Sequence, residues 1–425
     1  MVRVVSIDGK NLMPTNRHGK VRRLLKDNKA KVICKNPFTI QLLYQTDDVT
    51  QKITIGVDTG YKFTGFAFIA NNKVLQKGTI ELRQDVSSLI TLRRTLRRGR
   101  RNRKTRYRKP RFLNRTRPDG WLAPSTQSKY NHILNWIDRF TKYLPNYQLK
   151  VEIANFDIAK INNPDIEKEL YQQGNMYGYE NIKQYLLARE HGTCQYCKKK
   201  KNDKWHIHHI VPKSKGGSDR VDNLALLHES CHKKLHEKND TNKISKPKQY
   251  KDATFMNIIK WKLVNDLKAK YQDKVSFTFG YITKIDRNDL GLEKTHYNDA
   301  IAITKEIVNE NKSNPIYIKQ VRKKKRSLHE ATPRKGRRIK NTTQKRSSKN
   351  TKGITVNNKK IALYDKVKIN NQIGYVSGFT GKMVYVIDIQ GNYIKQSNKS
   401  YKQISPKEIK HIKRNNNWII QEVVA

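Results

Sequence analysis

Hydrophobic positions along the chain fall into blocks of contrasting period. Three short apolar runs near the start, VRVVSI, KVICKN and FTIQLLY, flank the basic helical stretch HGKVRRLLKDNKA, and together they predict a small α/β unit ending near Thr50. After Lys52, the run ITIGVDTGYKFTGFAFIANNKVLQKGTIEL (53–82) reads as three strands in a meander joined at DTGYK and NNK, where Gly, Asn and Asp suit tight turns. Ile133, Trp136, Ile137 and Phe140 give residues 126–144 a helical face, and LKVEIANFDI after them alternates like a strand. Residues 252–270 predict a further helix, VSFTFGYIT a strand, and HYNDAIAITKEIV a helix with polar residues at its start. From Gly353 onward, short strand-like runs with Gly and Asn turns predict a small β barrel. Strands interleaved with helices over 425 residues predict a multidomain α/β protein.

Charge changes the picture. There are 89 Lys and Arg against 36 Asp and Glu, a net charge of +53, and a compact chain carrying that alone repels itself; a polyanion is the expected partner. Residues 93–117, RRTLRRGRRNRKTRYRKPRFLNRTR, hold much of it, with Pro110 expected to end their helical part. Arg93, Arg94, Arg97, Arg98, Arg100, Arg101, Arg103, Arg106 and Arg108 are the candidate phosphate contacts, because guanidinium groups around a whole helix can meet nucleic acid on two sides. Residues 322–352 are basic, polar and poor in aliphatics, which predicts a linker or an RNA-bound extended segment. No run approaches the roughly 18 apolar residues of a membrane span, and the first residues lack an apolar signal core. The expectation is an intracellular, cytoplasmic protein without a membrane partner.

Three of the four cysteines lie in one histidine-rich stretch, which favours metal binding over a disulfide scaffold; Cys34 stands alone and reads as a buried thiol. CQYC (Cys194, Cys197) and HESC (His228, Cys231) each present two ligands from one turn, and together they make a tetrahedral, structural zinc site of three thiolates and one imidazole. Between and after them come WHIHHIVP, DNLALLH and CHKKLH. In a strand His208 and His209 point to opposite faces, so one is free to bind a metal and the other to act as a base. His232 and His236, four apart, share a helix face. A divalent ion on His208, His232 and His236 would stabilise charge on a phosphate while neutral His209 takes a proton from water. Asn223 is expected to fix the tautomer of His209, and His206 reads as a solvent-facing strand residue.

These residues resemble the HNH, or ββα-metal, nuclease motif, with its His-His strand, central Asn and HxxxH helix in order. Three scattered acids complete the candidate chemistry. Asp58 ends the apolar strand ITIGVD, Glu152 interrupts LKVEIANF, and Asp299 opens an apolar helix with His296 three residues earlier on the same face. Each alone has a bland explanation as a strand end, a cross-strand pair or a cap. Together they resemble the three split RuvC segments of the ribonuclease H superfamily. That resemblance implies that Asp58, Glu152 and Asp299 hold two magnesium ions and that His296 is a ligand or proton-transfer group.

An HNH module between the second and third RuvC segments, an arginine-rich bridge after the first, and NLMPTNRHGKVRRLLKDNKAKV at the start together resemble the IscB family of transposon-encoded, RNA-guided nucleases. The family's PLMP signature reads NLMP here, with Asn11 in the first place. The resemblance implies an RNase H-like core split in three, an inserted ββα-metal domain and a C-terminal small β barrel. Its implied boundaries are an N-terminal domain (1–51), RuvC segments (52–85, 121–180, 246–321), a bridge helix (86–120), the HNH domain with its zinc knuckle (181–245), a linker (322–352) and a region that interacts with the target-adjacent motif (353–425). It further implies a structured guide, or omega, RNA and double-stranded DNA as partners of a monomeric prokaryotic protein, with one magnesium in HNH. HNH is expected to cut the target strand and RuvC the displaced one. Two rival readings remain: a guide-independent HNH endonuclease, and a non-cleaving nucleic-acid-binding regulator of a transposon.

Overall fold

A computed structural model describes residues 1–101, 116–162, 166–167, 171, 174–212, 219–238, 243–245, 250–309, 311, 313–321, 353–356, 359–380, 383–396 and 400–423. The first half runs β1 (Val2–Val5), β2 (Asn11–Thr15), α1 (His18–Lys26), β3 (Ala30–Lys35), β4 (Phe38–Leu42), β5 (Ile53–Thr59), β6 (Phe63–Ala70), β7 (Lys73–Glu81), α2 (Val86–Arg101), α3 (Pro124–Thr141) and β8 (Tyr147–Ile153). Next come α4 (Ile158–Asn162), α5 (Ile182–Arg189), β9 (Trp205–His209), β10 (Leu224–His228), α6 (Glu229–Lys238), α7 (Lys251–Tyr271), β11 (Val275–Phe279), α8 (Gly280–Asp289), α9 (His296–Thr304) and β12 (Ile316–Gln320). The last are β13 (Gly353–Val356), β14 (Lys359–Ala362), β15 (Lys366–Ile369), β16 (Gln372–Thr380), β17 (Met383–Ile387), β18 (Gln403–Ile404), β19 (Lys410–Lys413) and β20 (Trp418–Glu422). Residues 1–154 with 258–425 form one compact unit, and 155–257 a second.

The first unit is built on a seven-stranded sheet of order β11-β8-β5-β6-β7-β12-β20. β5, β8 and β11 run parallel, whereas β5, β6 and β7 form the antiparallel meander that their turn residues predict. β5 is buried along its whole length, as a strand covered on both faces must be. One cover is α3, whose Phe140 meets Phe66 and Phe68 at ring-centroid distances of 4.6 and 5.3 Å. The other is α9, which lies so close that glycines are required beneath it. A Cβ on Gly56 would sit 1.9 Å from the Ala300 carbonyl oxygen, and one on Gly65 1.8 Å from that of His296. Asp58 pairs with Gly65 across the ladder, so strand alternation turns Asp58, Gly56 and Gly65 together toward α9. Gly65→Val is therefore expected to unseat α9 and cost at least about 3 kcal/mol, the upper range for overpacking. The thermal midpoint should fall while Gly19→Ala in α1, where no atom lies within 4 Å, leaves it unchanged or higher.

Several expectations are corrected here. VSFTFGYIT is a strand only to Phe279, and GYIT opens α8. The helix of HYNDAIAITKEIV stops at Thr304 because Lys305 turns left-handed at φ 54°. At the C-terminus β18-β17-β16-β15-β19 form a five-stranded sheet among the described residues, and β20 leaves them to pair with β12 in the large sheet. Cys34 is half-buried instead of buried. The N-terminal residues form a sheet of order β2-β1-β4-β3 closed by Val21 of α1. Residues 322–352 lie outside the described residues. No described helix is long and apolar enough to cross a membrane.

In the second unit β9 and β10 form an antiparallel pair followed directly by α6. Arg189 at the end of α5 fastens this hairpin, donating 2.7 Å bonds to the carbonyls of Val221 and Leu224. Two small apolar clusters flank it, one around Leu186, Leu224 and Leu226, the other around Cys194, Ala225, Leu227, Cys231 and Leu235.

Candidate metal centres

Cys194, Cys197, His228 and Cys231 converge, with one ligand atom from each within 4.8 Å of the others. The first two come from the turn after α5, His228 ends β10, and Cys231 lies in the first turn of α6. Cys194 and His228 are fully buried, His228 Nδ1 faces Cys197 Sγ at 3.6 Å, and Cys194 Sγ accepts the His228 amide at 3.4 Å. Burial and the neighbouring thiols push Cys231 up to about 11. Three thiols and one imidazole packed at this distance are a zinc donor set.

His208, His232 and His236 form a second cluster, again with ligand atoms within 4.8 Å. His232 and His236 approach Nε2 to Nε2 at 3.1 Å, and His206 stacks on His232 from the solvent side. Burial, then the neighbouring imidazoles, pulls His208 down to about 4, which keeps its ring neutral and able to ligate. Three imidazoles without a carboxylate among the described residues suit a first-row transition ion better than magnesium, which prefers oxygen ligands. His209 points to the other strand face as alternation requires, and its Nε2 lies 2.8 Å from Asp219 Oδ1. A carboxylate there accepts the Nε2 proton and leaves the Nδ1 lone pair exposed. This corrects the expectation for Asn223. Its side chain is committed to Val211, accepting from the amide at 2.9 Å and donating to the carbonyl at 3.0 Å, so it pins the chain after His209 while Asp219 orients the ring.

The third cluster stands at the carboxyl ends of β5 and β8, where neighbouring parallel strands leave a crevice. Their register runs to Val57 opposite Val151, which sets Asp58 beside Glu152 on the face covered by α9. His296 Nδ1 lies 2.7 Å from Asp58 Oδ2, and Asp299 stands one turn further along α9. Burial raises Asp58, against its bond to His296; burial and the charge of Asp58 push Glu152 up to about 7. His296 is held above its usual range mainly by its bond to Asp58. Three carboxyls crowding one another in this way call for a cation. One is already there: Arg287 of α8 donates a 2.7 Å bond to Asp299 Oδ1. Sequence reasoning missed both Arg287 and Asp219. Each is one charge among several, Arg287 beside Lys284, Asp286 and Asp289, and Asp219 beside Arg220 and Asp222, so nothing local singles it out.

Of the candidate phosphate contacts, Arg93, Arg94 and Arg97 are exposed on α2. Arg98, Arg100 and Arg101 belong to the same helix, but their side chains lie outside the described set, as do Arg103, Arg106 and Arg108 altogether.

Residues 2–174 match the family described as RRXRR protein, and residues 194–238 match HNH endonuclease. A stretch of 62 residues, 13% of this chain, is 34% identical to the type IV methyl-directed restriction enzyme EcoKMcrA of Escherichia coli (strain K12), and it spans only 22% of that protein. Streptococcus thermophilus Cas9 in complex with the AGAA PAM is similar at 16% identity over 47% of this chain and 29% of that one, with a TM-score of 0.33. The same protein in complex with AGGA PAM gives 13% identity over 43% and 26%, with a TM-score of 0.28. Both scores lie below the level at which two chains share an overall arrangement. Along the chain, a region similar to RRXRR proteins is thus followed by a region similar to HNH endonucleases.

Proposed function

We propose that the chain binds a structured guide RNA and cuts double-stranded DNA at two centres, the histidine cluster acting on the guide-paired strand and the acid cluster on the displaced strand. The observation that carries this reading is the convergence of Asp58, His296 and Asp299, far apart in sequence, with ligand atoms within 4.8 Å of one another, while Glu152 stands beside Asp58 on the neighbouring parallel strand. That is the arrangement the RuvC resemblance implies, and it stands in the same chain as an HNH endonuclease match. Asp58, Glu152 and Asp299 would hold the magnesium ions, His208, His232 and His236 a divalent ion, and the cysteine cluster a zinc. Divalent cations at such sites act as Lewis acids on the phosphate and its leaving oxygen. His209 Nδ1 accepts the proton of the attacking water, Asp219 holds that ring, and Asn223 fixes the segment that carries it. At the acid centre His296, oriented by Asp58, moves the proton. The exposed arginines of α2 and the charge of residues 93–117 would bind RNA phosphates, the protein reading the guide–target duplex by backbone shape, and residues 353–425 would read the target-adjacent motif.

Nucleic acid that co-purifies with the chain should be one long structured RNA with a variable end. With that RNA and magnesium plus manganese, DNA complementary to the variable end should be cut and unrelated DNA left intact. Equal cleavage without RNA would instead favour a guide-independent nuclease, and binding without cleavage in any divalent ion a regulator.

A further inference from the structure

A cleft of about 760 Å³ opens beside α3, within the size range of about 300–1,000 Å³ typical of small-ligand sites. It contains none of the residues of the three metal centres. Its walls combine indoles, cations, amides and one histidine. His132 is only 6% exposed, yet neither of its ring nitrogens has a hydrogen-bond partner, and Arg139 Nη1 on the same helix is also buried without one. Burial, then the charges of Arg139 and Arg83, draws His132 down to about 4. At neutral pH it is therefore an uncharged ring in the cleft wall with one donor and one acceptor, both buried and both unanswered. A polar group buried in this way costs free energy unless a ligand completes it. Asn131, Asn135 and Gln127 add amides of the same dual character.

The mouth has a different chemistry. Trp121 is 41% exposed, and the Arg117 guanidinium covers its ring at 3.9 Å. Arg117 is the last residue of the basic run 93–117, so the segment richest in phosphate-binding charge ends at the lip of the cleft. A flat aromatic beneath a cation, next to a donor–acceptor pair at depth, is the chemistry that recognises a nucleobase. RNA offers bases splayed out of single-stranded loops and bulges, stacked on aromatic or guanidinium planes and read on their edges, whereas duplex DNA keeps its bases stacked.

We propose that this cleft receives one unstacked nucleotide of the bound RNA, its base stacked on Trp121 and its edge hydrogen-bonded to His132. The inference rests on the reading that the chain binds RNA. Trp121→Ala and His132→Phe in the full chain test it with fluorescein-labelled, single-stranded homopolymers of each ribonucleotide and their deoxy counterparts, titrated over a range of salt. Each variant should bind the preferred ribo-homopolymer about tenfold more weakly, as loss of one stacked base does. The salt slope should stay that of the wild type, because no phosphate contact is removed. His132→Phe should also erase the preference among bases, which loss of a stacking platform alone would not. Trp121 is exposed, so its variant tests binding even if His132→Phe melts early. Wild-type affinity in Trp121→Ala, or a loss shared equally by the deoxy probes, would overturn the assignment of this cleft to RNA. If those variants also kept RNA-dependent DNA cutting, the guide reading would stand without the cleft. If the wild-type chain bound no RNA at all, both would fall.

Discussion

Asp58→Ala should leave target DNA nicked only in the guide-paired strand, and His209→Ala should leave it nicked only in the displaced strand. The two side chains belong to separate compact units: Asp58 is in the acid cluster, and His209 follows directly after His208 of the histidine cluster, and these two clusters share no residue. Removing His209 takes away the proposed proton acceptor, for which a loss of about 10²- to 10⁴-fold is usual. Removing Asp58 takes one oxygen donor from the acid centre and leaves His296 without the carboxylate that orients it, so the loss should be at least as large. Neither change should unfold the protein. Asp58 is a buried acid beside Glu152 and Asp299, and burial already disfavours its charge. Its loss relieves repulsion, and Glu152 should fall from about 7 toward its ordinary range. Duplexes labelled on either strand and resolved under denaturing conditions read the outcome directly. Loss of both cuts in either variant, with RNA and DNA binding intact, would show that the centres are not independent.

The residues that make these centres were legible wherever local spacing carried the chemistry. CxxC, HxxC and HxxxH place ligands on one turn or one helix face whatever surrounds them, and the His208–His209 alternation follows from any strand. The acids were legible for a different reason, since a carboxylate in an apolar strand needs a partner. What could not be read was the partner. Asp219 meets His209 from ten residues further along the chain, and Arg287 reaches Asp299 from a neighbouring helix; both contacts exist only once the fold brings them together. Asn223 shows the converse, a residue of the right type whose amide is taken by the nearer backbone of Val211.

Fold elements failed in the sequence where tertiary contact overrode local pattern. The run VSFTFGYIT keeps its strand-like composition through Thr283, yet the chain turns into α8 at Gly280, where a side chain would press within 3.1 Å of Glu152 Oε1. That turn brings Thr283 against Glu152 and Arg287 to Asp299, so the misread segment is the one that furnishes the acid centre. Likewise WIIQE near the C-terminus reads as part of a terminal β region, but its partner is β12, nearly 100 residues earlier in the chain.

Chelation of zinc, or Cys194→Ser, should unfold the histidine-bearing hairpin and helix while sparing the cut made at the acid centre. The apolar cluster around the cysteines is small, with Ala225, Leu227, Leu235 and Ile244 as its other fully buried members. Structural zinc contributes apparent binding free energies of about 10–16 kcal/mol in small domains, whereas the three larger of these side chains supply about 1.5–3 kcal/mol each. The site also ties the turn after α5 to the first turn of α6. Because His232 follows Cys231 directly and His236 lies one turn later, releasing that helix scatters the imidazole cluster as well. Without the ion, burial and mutual repulsion keep Cys231 protonated, so nothing replaces the lost bonds. Amide hydrogen exchange over residues 194–238 should therefore lose its protection together with one zinc per chain and the guide-paired-strand cut. His228→Cys should retain the metal and the protection, since a fourth thiolate completes the same tetrahedron. Loss of zinc with exchange protection unchanged would mean that the four ligands hold a metal the fold does not need.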